Sequence, residues 1–140
     1  MFQVIIDTNV LLSALLSRKG ASYHLLTLVG DERWQLNLST ALVLEYEDVL
    51  KRPEFGLSLT NEEINAILDY LCDNGNQHKI FYLWRPFLRD AKDDFVLELA
   101  VASSCDYIVT FNAKDFVGIE HFGLKTITPG EFLQKLGEAT

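Results

Sequence analysis

A chain of 140 residues, 49% hydrophobic and 23% charged, has the size and composition of one folded domain with its own core rather than of a disordered segment. No apolar run approaches the roughly 20 residues that span a bilayer. The N-terminus lacks a basic start, and Asp7 interrupts what would be the apolar stretch of a secretory signal, so the cytoplasm is the expected location. The net charge of −8 argues against a broad basic surface for generic nucleic-acid binding.

In chain order, residues 2–6 form a short apolar, β-branched run that reads as a buried strand. An Asp-Thr-Asn turn leads into a helix over 10–17, and Ser22 can cap a second helix running to Val29 before Gly30. A second strand is expected over 34–38, followed by a helix capped by Ser39 or Thr40, running to about Lys51 and closed by Pro53. Thr60 followed by Glu63 has capping-box spacing and opens a helix that ends near Asn74-Gly75. Residues 79–84 read as a third strand, and a loop containing Pro86 leads to a helix over about 93–104. Residues 107–110 and 125–128 read as the fourth and fifth strands, and Pro129 opens a last helix at its first position. This alternation predicts an α/β fold with a parallel sheet and helices on both faces. Sites in such sheets form beyond the carboxyl ends of the strands.

Several acids fall there. Asp7 follows the first strand, where it can cap a helix or face the crevice, with Thr8 and Asn9 beside it. Asp94 lies in the first turn of a helix that is apolar on nearly every side, with Asp90 and Asp93 as competing caps. Glu98 is four residues on, on the same face as Asp94, and a carboxylate in so apolar a helix needs a partner. Thr110 ends the fourth strand, and Asn112 and Asp115 come just past it. Glu45 and Glu47 border the apolar stripe of Leu42, Val43, Tyr46, Val49 and Leu50, and periodicity does not choose between them. Clustered carboxylates repel, and a hard divalent cation resolves the repulsion. An oxygen-only ligand set selects Mg2+ or Mn2+ over zinc. Cys72 and Cys105 are far apart and amid apolar residues, which reads as two packed thiols, and His24, His78 and His121 are equally scattered.

Four segments carry a resemblance: Val4-Ile5-Ile6-Asp7-Thr8-Asn9-Val10; Leu44-Glu45-Tyr46-Glu47-Asp48-Val49-Leu50-Lys51-Arg52-Pro53; Asp94-Phe95-Val96-Leu97-Glu98-Leu99-Ala100; and Asp106-Tyr107-Ile108-Val109-Thr110-Phe111-Asn112-Ala113-Lys114-Asp115-Phe116. In this order and spacing the chain resembles the PIN domain, and in particular the VapC-type toxins of toxin–antitoxin systems. The resemblance implies a three-layer α/β/α domain over residues 1–140, with a central parallel sheet of four to five strands. It implies a metal-dependent ribonuclease that leaves a 5′-phosphate, a cognate antitoxin as partner, and a homodimer or higher homo-oligomer. It selects Glu45 over Glu47, and it assigns Asp7, Glu45, Asp94 and an acid of the fourth motif to the metal. Many relatives carry Asp at the position of Asn112, and others use an acid at that of Asp115. Asp115 is read as the acid here, with Asn112 as a helper, and Thr8, Asn9, Glu98 and Thr110 as supporting groups.

On that reading the charge is less of an obstacle. Setting the four site acids aside leaves sixteen acids against twelve bases, and one divalent ion offsets two more charges. RNA contact would then rest on Arg18, Lys19, Lys51, Arg52, Arg85, Arg89 and Lys114, with aromatics stacking on splayed bases. Two alternatives stand beside it. One is a catalytically weak or inactive PIN scaffold that binds RNA or protein. The other is a phosphohydrolase of the haloacid-dehalogenase type, which wants a second Asp where this chain has Asn9. No Gly-rich loop follows the first strand, which disfavours a nucleotide-binding Rossmann domain.

Overall fold

The computed structural model describes residues 1–80 and 91–138. Strand β1 (Phe2–Ile6) is followed by helices α1 (Thr8–Leu16) and α2 (Ala21–Thr27), strand β2 (Trp34–Leu38), and helices α3 (Thr40–Leu50) and α4 (Asn61–Asn74). A two-residue β3 (Asn76–Gln77), helix α5 (Ala91–Ala102), β4 (Tyr107–Val109), β5 (Lys125–Ile127) and α6 (Pro129–Leu136) complete the order. The strands form one sheet in the order β3-β2-β1-β4-β5, with every neighbouring pair parallel. The architecture is the expected three-layer α/β/α fold, with five strands.

The order places β1 in the middle, and its residues show it. Val4, Ile5 and Ile6 are all buried, as a strand covered on both faces requires. The helices turn apolar stripes toward this sheet: Leu42, Tyr46 and Leu50 of α3; Ile64, Leu68 and Leu71 of α4; Phe132, Leu133 and Leu136 of α6. Both Thr60 and Thr128 close capping boxes, with Glu63 and Glu131 respectively. At Gly75 a Cβ would lie 2.8 Å from the Leu71 backbone carbonyl oxygen and 2.7 Å from Leu38 Cδ1 of β2, so only glycine fits.

Several boundaries differ from expectation. Helix α1 starts at Thr8, because Asp7 itself is the cap. Helix α2 is capped by Gly20 and ends at Thr27. Ser22 lies buried inside that helix, its hydroxyl without a hydrogen-bond partner among the described residues. The third strand pairs at Asn76–Gln77, and Lys79 and Ile80 are not in it. Residues 81–84, Arg85, Pro86, Arg89 and Asp90 lie outside the described residues, as does the side chain of Asp93. Among the described residues no helix is long and apolar enough to cross a membrane. Cys72 and Cys105 are free thiols, and burial pushes the latter up to about 12.

Candidate metal centre at the ends of β1 and β4

From β1 the chain builds outward in two directions, through β2 to one edge and later through β4 to the other. The carboxyl ends of β1 and β4 therefore form a topological switch point, where the loops diverge and leave a crevice. Asp7 and Thr110 occupy it.

Asp7 is 7% exposed. One carboxylate oxygen accepts from the Thr8 amide at 2.9 Å, the N-cap role the sequence allows. The other accepts from the Thr110 hydroxyl at 2.8 Å and the Asn9 amide nitrogen at 3.2 Å. Its own N–H donates to the Val109 carbonyl of β4 at 2.9 Å. Burial pushes the carboxyl above its ordinary range. The charge of Asp115 pushes the same way, while the bonds from Thr110, Thr8 and Asn9 pull it down. Among the described residues no Lys, Arg or His forms an ion pair with Asp7.

Asn9 and Thr110 tie the two strand ends together. Asn9 donates to Asp7 and, at 3.4 Å, to the Thr110 hydroxyl oxygen; its own oxygen accepts from the Phe111 amide at 3.3 Å. The Thr110 oxygen also accepts from the Asn112 amide at 3.0 Å. Asn112 thus joins through its backbone, while the residue itself is exposed. Asp115 lies in the single 3-10 turn Ala113–Phe116 that follows, half-buried and close enough to act on Asp7 by charge.

Helix α3 closes the crevice from the β2 side. The Thr8 hydroxyl donates to Glu45 Oε2, whereas Glu47 turns outward to Lys51 at 3.0 Å. The two acids thus face different partners, Glu45 the residue after Asp7 and Glu47 its own helix. Asp94 and Glu98 are buried, at 0% and 5% exposure, on α5, which packs against α3. Among the described residues no three His, Cys, Asp or Glu side chains converge closely enough to hold an ion by themselves. Mg2+ does not need such a cage, since it is ordinarily bound through one or two carboxylates and keeps waters and substrate phosphates. Asp7 and Asp115, two oxygen donors whose mutual repulsion a cation would relieve, fit it.

Tyr46 is the residue that sequence reasoning missed. It sits in the apolar stripe of α3 and is 1% exposed, yet its hydroxyl donates to the Ile6 carbonyl. Burial first, then the charges of Asp7 and Glu45, hold its phenol well above the ordinary tyrosine value, so it remains a donor. The available signal was a Tyr where Leu or Phe would serve, because a buried hydroxyl needs a partner. Of the basic residues expected to meet RNA, Lys51 and Arg52 are paired within their own helix region to Glu47 and Asp48. Arg18, Lys19 and Lys114 are exposed and make no ion pair among the described residues. Phe111, 51% exposed, stands at the rim beside Asn9. Two surface grooves of about 430 and 440 Å³ flank α3, lined by Leu44, Glu47 and their neighbours; neither is lined by Asp7, Asp94 or Asp115.

Two solved structures share the fold: VapBC2 from Rickettsia felis bound to a DNA fragment from their promoter, and VapBC-1 from nontypeable Haemophilus influenzae. Each superposes with a TM-score of 0.62, at 16% and 17% identity, covering 89% and 91% of this chain and 98% of the other in both cases. No curated protein matches the chain by sequence. The sequence model of the PIN domain matches residues 3–114, a span that includes Asp7, Glu45, Asp94 and Asn112 and stops one residue short of Asp115. With that match over most of its length, the chain belongs to the PIN-domain family.

Proposed function

We propose that this protein is a divalent-metal-dependent endoribonuclease and the toxin half of a toxin–antitoxin pair. The observation that carries the reading is the Asp7 carboxylate: buried, repelled by Asp115 and without a cationic partner among the described residues. Such a group is unfavourable in the empty protein and favourable beside a cation.

Asp7 and Asp115 would hold Mg2+ or Mn2+, with Asp94 and Glu45 as the further acids. When bound, the ion would lower the pKa of a water and stabilise the leaving oxygen of a phosphodiester. The chain's own groups do the rest. Thr110 and Asn9 hold one oxygen of Asp7 and the Thr8 amide holds the other, so the carboxylate presents a fixed face to the crevice. Thr8 orients Glu45 toward the same segment. Phe111 offers a ring for an unpaired base and Lys114 a charge for a phosphate, which suits single-stranded or looped RNA over duplex. The small antitoxin as partner, self-association and a cytoplasmic setting belong to the same reading. It draws on the resemblance to VapC-type toxins and on the paired VapBC names of the solved structures.

Membership of the PIN family leaves the haloacid-dehalogenase alternative without support, and Asn9 donates to Asp7 where that chemistry wants an acid. A catalytically silent scaffold is favoured by one observation, the lack of three converging ligands among the described residues. One assay decides between them: cleavage of unstructured RNA with Mg2+ or Mn2+, with and without EDTA, by wild type and Asp94→Asn. Metal-dependent cleavage lost in the variant supports the nuclease. Equal rates in both proteins, or none in wild type, removes it.

A further inference from the structure

Strand β1 pairs with β4 as far as Ile6, but with β2 only as far as Val4. On the β2 side its last residues have left the ladder. The N–H and C=O of one trans peptide group point in opposite directions. The Asp7 N–H points to Val109 of β4, so the Ile6 carbonyl on the same peptide points away from β4, to the side that β2 has vacated. A buried carbonyl there needs a donor. The Tyr46 hydroxyl supplies it from α3.

The peptide joining Ile6 to Asp7 is therefore held at both ends, by a strand on one side and a tyrosine on the other. One residue on, the Thr8 hydroxyl bonds to Glu45, the neighbour of Tyr46. Two adjacent residues of α3 thus grip the chain on either side of Asp7. We propose that Tyr46 is a positioning residue for Asp7: its hydroxyl fixes the peptide plane from which the Asp7 side chain is aimed into the crevice. The inference rests on the nuclease reading only for its effect on cleavage. A displacement of about 1 Å at a reacting centre can lower a rate on the order of a hundredfold, so a hydroxyl that never touches substrate can matter to turnover.

The test compares Tyr46→Phe with wild type in metal-free protein, by amide hydrogen exchange. Phe keeps the ring in the α3 stripe and removes only the donor. Exchange at the Asp7 and Thr8 amides is expected to speed up at least about tenfold more than at Ile108 or Leu133, which report global opening. With Mn2+ and RNA, kcat is expected to fall about tenfold or more with KM within about twofold. Phe132→Leu, a core change in α6, should leave kcat unaltered at matched stability. Equal acceleration at Asp7 and Ile108, or a kcat loss no larger than that of Phe132→Leu, overturns the assignment. Should Tyr46→Phe fail to fold, wild-type protein alone still decides. The Tyr46 hydroxyl proton should appear as a slowly exchanging resonance, and its absence overturns the assignment. If wild type cleaves nothing, the nuclease reading falls while the exchange data still judge Tyr46.

Discussion

The two ends of the sheet treat their carboxylates in opposite ways. Near the start of β2, Asp31 and Glu138 converge on Arg33, at 2.8 Å each, and Glu138 also meets His24 at 3.0 Å. Arg33 holds Asp31 down to about 2 and keeps Glu138 below its ordinary range. Phe2, Trp34 and Tyr107 pack round the Phe132 ring at 5.8–6.0 Å on the same side of the molecule. At the other end the donors to Asp7 among the described residues are neutral, a second acid lies nearby and its pKa is raised. Among the described residues one end pairs its acids with a cation and the other leaves Asp7 without one. The lesson is that an acid placed against stability marks function more clearly than an acid count does.

The largest effect should come from Asp7→Asn, which is expected to cut RNA cleavage on the order of a thousandfold. It should also invert the usual cost of a buried substitution. A raised folded pKa means that the folded state keeps a proton the unfolded state has lost. Wild-type stability without metal therefore falls as pH rises from about 3.8 through the raised value, and the variant lacks that slope. Thermal scans in EDTA should show the Tm of the variant minus that of wild type rising with pH; a difference that falls with pH breaks the contrast. Chelation of wild type should abolish cleavage and Mn2+ or Mg2+ restore it. The same ions should raise the wild-type Tm and leave that of Asp7→Asn unmoved, which thermal scans with and without metal would check.

A smaller change is expected at the rim. Phe111→Ala should raise KM for single-stranded RNA about tenfold with kcat unchanged. A steady-state assay showing the loss in kcat instead would move Phe111 from substrate contact to site architecture. The smallest effect on activity should follow Arg33→Met, at the compensated end: cleavage within about twofold of wild type and a modestly lower Tm. The pH sign is opposite there. Asp31 contributes stability above its ordinary pKa and loses it as pH falls toward about 2, so the variant should lose this acid-side slope in thermal scans.

Legibility in the sequence followed the range of the interactions. Thr60 with Glu63 and Thr128 with Glu131 are three residues apart, and both capping boxes form as read. Asp7 was legible as a strand-end acid because the strand before it is short and uniformly apolar. The third strand was less legible for the opposite reason, and most of the run read as that strand, residues 81–84, lies outside the described residues. Among the described residues pairing with β2 falls on exposed, polar Asn76 and Gln77, just after Gly75 brings the chain against Leu38. Ser22 has the chemistry of a cap, yet the helix begins one residue earlier and encloses it.

The order of apolar runs, caps and glycines was enough to determine alternating strands and helices, and hence a parallel sheet with acids at its carboxyl edge, because period and capping are local properties of a chain. Which groups those acids meet was decided by tertiary structure. Glu45, not Glu47, meets Thr8, 37 residues away, and the aim of Asp7 depends on Thr110 and Tyr46, which meet this segment only after β1 is laid between β2 and β4. Charges in sequence can be counted one by one, but their repulsion becomes strong only once folding has removed the water between them.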